Sequence, residues 1–323
     1  MVSKLGSSGV MGLGAGLLVA CAVGVTPPFG DSSGPASGDG GGGFRDDAGN
    51  VVAGGASLIY AHSDTELFSM DPSTQSIVDI GPFDDGSGSM PAITDLAVNA
   101  AGEVWVNSES AIYKATVPST PGTVSLQKVT DVSVASSQKF YALGFAPAGV
   151  LGATETLVAG DNQGELYAVQ TTGATVDLGS FGTDASGNAY QLSGDVMFYL
   201  QAGKARGLAT VRSCKKSTCS GSNDILAEID VTAMQTAYQT GTPGVLKKQF
   251  LGSGTGFGHL YGVGAWNDNV YAFARTSSGS PAELVQIGPT GKGTVLKTFP
   301  DITAGWSGAG VTTSAVVTVL PPN

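Results

Sequence analysis

Histidine is almost missing from this chain of 323 residues, which has only His62 and His259. Imidazole is the commonest general base and metal ligand near neutral pH, so this scarcity argues against any centre built on a histidine cluster. Basic residues are also few. Lys and Arg total 15 against 26 Asp and Glu, for a formal net charge of −11. The pairs Lys215-Lys216 and Lys247-Lys248 are too small to make the cationic footprint that a phosphate backbone requires, which excludes nucleic acid as a partner. Charged residues make up 13% of the chain and no stretch holds a helical period for long, so a helical bundle is excluded too. No apolar run approaches the roughly 20 residues of a spanning helix.

What is present begins at the N-terminus. A single basic residue, Lys4, precedes an apolar core from Val10 to Val19, and a small residue, Ala20, precedes Cys21. Thr26-Pro27-Pro28 then rules out a continuing helix. This order reads as an export signal. The run Leu18-Val19-Ala20-Cys21 resembles the lipobox of bacterial lipoproteins. The resemblance implies that residues 1–20 are removed as a signal peptide and that Cys21, carrying acyl chains such as palmitate, becomes the first residue of the mature protein. One acyl chain holds a protein to a bilayer only marginally, whereas three hold it stably. The implied address is the bacterial cell envelope, outside the cytoplasm and lipid-anchored to the membrane. Ala22, where aspartate would favour retention at the inner membrane, points to the outer membrane. The alternative is an ordinary secretory leader with an unmodified cysteine.

Of the three cysteines, Cys214 and Cys219 remain, close in sequence within an exported chain. That pattern suggests a disulfide across a loop or hairpin, with two free thiols as the alternative. No further cysteine or histidine is near enough for a metal set. Residues 21–56 form a Gly-, Ser- and Asp-rich tether, solvated and flexible by composition. Within it, residues 38–43 match G-x-G-x-x-G and residues 30–34 match G-x-S-x-G. Both lack the flanking strand and helix that would give those patterns meaning.

From residue 57 to 323 the chain is a succession of short Val-, Ile-, Leu-, Tyr- and Phe-rich runs separated by Gly, Asp, Asn, Ser and Pro. The expected fold class is all-β. Runs at 58–61, 66–71 and 76–81 are followed by four-strand passes at 93–129, 141–179, 195–251 and 260–299. The recurrence fits a β-propeller of five four-stranded blades, six being the alternative count. A solitary run at 306–313 has the look of a first strand, and the first pass lacks one. Pairing the two would close the ring and remove an exposed sheet edge. The pattern resembles extracytoplasmic propellers of the NHL, YVTN and quinoprotein-like type, without the diagnostic repeat of any one family. A β-sandwich or solenoid is the rival architecture.

Chemistry is sparse. His62 reads as a strand-end histidine bonded to a turn. His259, at the end of the glycine-rich stretch 252–258, is the residue most suited to a pocket at the channel; both are possible channel residues. The acidic turns at 84–86, 161–165 and 267–269 have oxygen ligands that could suit calcium, but their residues are those hairpin turns require. Trp105, Trp266 and Trp306 read as exposed aromatics that recur at equivalent places and serve blade packing. No catalytic set, metal or cofactor is expected. Two function classes follow: a non-catalytic propeller that binds an envelope protein or a glycan, and a lyase or hydrolase using the central channel.

Overall fold

The computed structural model describes residues 59–132, 138–215, 218–219, 223–266, 269–275 and 280–315. The expected signal peptide, Cys21 and the expected tether lie outside these residues, as do Asn267, Asp268 and the region 316–323 that holds the remaining candidate strand.

Strands form where apolar runs alternate with turn residues. The first group is β1 (Ile59–His62), β2 (Glu66–Asp71) and β3 (Ser76–Asp84). The second is β4 (Asp95–Val98), β5 (Val104–Asn107), β6 (Ala111–Thr116) and β7 (Val124–Asp131). The third is β8 (Phe140–Ala146), β9 (Thr156–Asp161), β10 (Glu165–Val169) and β11 (Thr175–Ser180). The fourth comprises β12 (Ala189–Gln201), β13 (Lys204–Lys215), the short β14 (Thr218–Cys219) and β15 (Ile225–Ile229). It continues through helix α1 (Val231–Thr240), β16 (Gly244–Val245) and β17 (Lys247–Leu251). The fifth is β18 (Leu260–Trp266), β19 (Asn269–Ala274), β20 (Ala282–Ile287) and β21 (Gly293–Phe299), and β22 (Gly308–Val311) ends the series.

Among the described residues, antiparallel pairing groups twenty of these strands into five units of four; short parallel bridges join β3 to β7 and β11 to β16, and β14 pairs with β13 alone. β22 supplies the innermost strand of the first unit by pairing with β1, Ile59 opposite Val311 and His62 opposite Gly308. The innermost strands β4, β8, β12, β18 and β22 each touch the next, and β22 touches β4. The circle is closed, and the fold is a β-propeller. The units are therefore its blades. The solitary C-terminal run does complete the first blade, covering the edge of β1.

The inner strands approach so closely that side chains are excluded at some contacts. A Cβ on Gly144 would sit 2.5 Å from the carbonyl oxygen of Val196, and one on Gly194 would sit 2.1 Å from that of Leu260. Backbone therefore meets backbone at the axis. Between blades, apolar side chains interdigitate. Trp306 is fully buried, edge-to-face with Phe68 at 5.3 Å, Phe273 at 5.4 Å and Phe299 at 5.8 Å, and so joins the fifth blade to the first.

Three features differ from the sequence reading. The fourth blade contains helix α1, where the strand was expected to run on to residue 231. Asp230 caps the helix by accepting from the Ala233 N–H, Gly241 ends it in the left-handed conformation, and Met234 and Ala237 supply its buried side. The β12–β13 hairpin is much longer than the runs 195–200 and 207–212, because Ala202 and Gly203 both take positive φ and make a turn matched to strand twist. Trp105 and Trp306 are buried rather than exposed, and Trp266 is half-buried against the same core as Trp306.

Replacing Trp306 with alanine would empty the junction of three rings. The expected cost is about 3–5 kcal/mol of stability, read as a lower midpoint in urea denaturation of the purified protein. A loss below about 1 kcal/mol would mean that the closing blade contributes little to the ring.

Candidate functional site: the mouth of the ring

Every inner strand runs downward from one face of the disc, and that face carries a cup of about 560 Å³. Two repeating positions line it. The first is the start of the inner strands, giving Thr94, Tyr141, Gly194, Tyr261 and Ser307; the second is the hairpin region after the second strand of each blade, giving Asp64, Glu109, Asn162, Arg212 and Arg275. All five blades contribute. Two other concavities, near Phe299 and near Tyr190, each draw on two blades at the rim.

The electrostatics of the cup come from paired but unsaturated charges. Arg212 lies 3.0 Å through Nε from Oδ1 of the buried Asp224, and Arg275 lies 3.6 Å from Asp64. Glu109 is held below its ordinary value chiefly by Lys139, 2.7 Å away, and also accepts from the Tyr141 hydroxyl at 3.0 Å. The Tyr261 phenol is pushed up mainly by burial, and it feels both guanidiniums as well as Asp224 and Asp64. It is therefore near the electrostatic centre of the cup.

His259 lines the cup as the sequence suggests, beside Tyr261 at a ring distance of 5.6 Å. Its backbone is left-handed, with φ of 59°, an unusual conformation outside glycine. The preceding loop is fixed from below by Asn223 and Asp224: Asn223 Oδ1 accepts the Gly256 N–H at 2.7 Å, and Asp224 Oδ2 accepts the Leu260 N–H at 2.8 Å. The Cys214–Cys219 disulfide is formed, and Cys219 lines the cup together with Arg212 of the same blade. It pins the β13–β14 hairpin there.

His62 does not reach the cup. It is fully buried at the end of β1, where its Nδ1–H donates to the Ser63 carbonyl at 2.6 Å and Nε2 is left as a bare acceptor. A Cβ placed on Gly308 would lie 2.4 Å from that Nε2 and 2.2 Å from Oδ1 of Asp95, so the two side chains flank the same glycine. Burial lowers the His62 pKa to about 4.

Sequence reasoning missed Asp95 and Asp195, which make the floor. Both are completely buried. Asp95 accepts from Leu96 N–H at 2.8 Å and from Leu143 N–H of the next blade at 2.7 Å. Asp195 repeats this, accepting from Val196 at 2.5 Å and from Val263 of its next blade at 2.6 Å. The two carboxyls also hydrogen-bond each other, and burial raises both well above the carboxylate range, so the pair shares a proton. They act as clasps between blades. Below them the axis is filled by residues such as Ala97, Val196 and Val311, leaving about 10 Å³. In the acidic turns, Oδ1 of Asp84 accepts the Gly86 N–H and Oδ1 of Asp161 accepts those of Gln163 and Glu165, as in hairpin turns, while Oδ2 of Asp161 is buried with no hydrogen-bond partner among the described residues. Asn267 and Asp268 lie outside the described residues.

No family model matches the chain, and no curated protein matches its sequence. Solved structures resemble it only distantly. A protein of unknown function from Bacteroides caccae has a TM-score of 0.41 at 10% identity, over 80% of this chain and 99% of that one. The Dos1 propeller has a TM-score of 0.35 at 12% identity, covering 75% and 58%, and U3-55K one of 0.37 at 13%, covering 80% and 82%.

The buried histidine makes stability pH-dependent with a definite sign. Its folded pKa is lowered, so the contribution of neutral His62 is complete above its unfolded value near 6.5 and is lost as pH falls through about 4. The size is about 3 kcal/mol. The acid pair has raised values, so its contribution runs the other way, present at low pH and lost as pH rises. Urea melts of His62→Gln against the parent should therefore differ in slope between pH 6.5 and 4, the variant losing less. Parallel slopes would show that His62 is not held neutral.

Proposed function

We propose that the protein is a non-catalytic binding head, lipid-anchored outside the cytoplasm on a bacterial envelope, which takes its ligand in the cup at the mouth of the ring. The observation that carries this reading is the convergence of Arg212, Arg275, Tyr141, Tyr261 and His259 above an axis that is filled. Ligand sites are concave and present a few well-placed polar groups, and the cup has both properties. The buried acids beneath it already accept backbone N–H groups, which suits a clasp better than an acid–base pair. A lyase or hydrolase working through the channel would need space that the inner strands occupy. The lipobox-like run ending at Cys21 supports the address, with the outer membrane favoured by Ala22. A glycan or an envelope protein displaying a small polar group is the partner that suits a cup of this size.

Two measurements test the reading. Intact mass of membrane-extracted protein should begin at Cys21 with added acyl mass, and Cys21→Ser should release the protein from the membrane fraction. Thermal-shift screening of the full mature protein against sugars, organic acids and peptides should find binders whose stabilisation disappears in Arg275→Gln and whose mass is unchanged after prolonged incubation. Chemical conversion of a binder would overturn the non-catalytic reading.

A further inference from the structure

We infer that the ligand of the cup is a sugar acid, a ring bearing hydroxyls and one carboxylate, bound as a free uronate or as the exposed end of an acidic glycan. This deepens the binding-head reading and depends on it. The carboxylate requirement comes from the arginines. Arg212 meets Asp224 side-on through Nε, and no hydrogen bond engages its two terminal nitrogens among the described residues. Its side chain is only 13% exposed, so this fork is held in place and faces the cup. A planar guanidinium presented in this way matches a carboxylate with two parallel N–H···O bonds. Arg275, on the neighbouring blade, pairs with Asp64 through Nη1 at 3.6 Å, longer than a hydrogen bond. The Tyr261 hydroxyl, which feels both guanidiniums, has no hydrogen-bond partner among the described residues and can donate to the same anion.

The ring requirement comes from the aromatic side chains that line the same cup. Tyr141, at the start of β8, presents a ring that is 37% exposed, and His259 and Tyr261 form a tilted aromatic pair at the start of β18, in the blade that carries Arg275. These surfaces suit the apolar face of a pyranose. Asn162 and Glu109, from the third and second blades, offer donors and acceptors for hydroxyls. A cup of about 560 Å³ accommodates a mono- or disaccharide. A bare inorganic anion would leave these rings without contacts, and a neutral sugar would leave the Arg212 fork without an acceptor.

The test is isothermal titration of the full mature protein with glucuronate, galacturonate and digalacturonate, alongside glucose, the methyl ester of glucuronate and inorganic phosphate. Binding is expected for at least one uronate. It should weaken by about tenfold or more for the methyl ester and in Arg275→Gln, the effect of losing a charged hydrogen bond. Arg212→Lys, which keeps the charge beside Asp224 but not the fork, should weaken uronate binding similarly while leaving the thermal midpoint near that of the parent. Equal binding of glucose and uronate would overturn the carboxylate requirement, and equal binding of phosphate would overturn the ring requirement; both would leave the cup standing as a binding site. Binding unaffected by either arginine variant would overturn the cup itself. No binding by any uronate, with other compounds still stabilising the parent through Arg275, would overturn only the sugar-acid assignment.

Discussion

The close approach of five inner strands about a single axis is the constraint on which the rest of this structure depends. Where Gly144 faces the Val196 carbonyl and Gly194 faces that of Leu260, no other side chain can be accommodated without moving backbone. The blades are thereby drawn inward until the channel closes. A closed axis in turn forces any ligand to the ends of the strands. It also explains the buried acids: inner strands that pack without pairing leave N–H groups at Leu143 and Val263 facing the neighbouring blade, and Asp95 and Asp195 satisfy them. An unsatisfied buried donor costs about 1–3 kcal/mol, so each carboxyl repairs a defect that the packing creates.

The same geometry separates the chemistry of the molecule into two levels. On the lower level the ionisable groups are kept neutral or share a proton, as with His62 and the aspartate pair, because burial penalises charge. On the upper level Arg212, Arg275 and Glu109 keep their charges within reach of water. Asp224 links the levels, since one oxygen holds the Leu260 N–H and the other meets Arg212. The loop that delivers His259 is therefore tied to the arginine that faces the cup, and the position of one sets the position of the other.

Much of the fold was legible because its signals are local. Alternation, turn residues and the solitary run at 306–313 place the strands and the closing pair. Helix α1 was not read, although Asp230 and Gly241 are a sound pair of caps, because ten residues with few apolar positions leave a weak helical period. The cup was legible only at His259, through the glycine-rich approach to it. Arg212, Arg275, Tyr261 and Tyr141 are single polar or aromatic residues at strand starts and hairpins, and nothing in one blade's sequence indicates that it will meet the same position of the next. Asp95 and Asp195 look like ordinary strand-edge acids until the ring brings them face to face. Convergence around an axis is a property of the closed circle, which no local window contains.

The register of β1 has a consequence for how the disc is presented. The chain enters the ring at Ile59, beside Val311, and runs from there past His62, beside Gly308, to Asp64 at the cup. Entry and cup are thus on opposite faces. A surface that met the disc at its Ile59 end would therefore find the cup facing away from it.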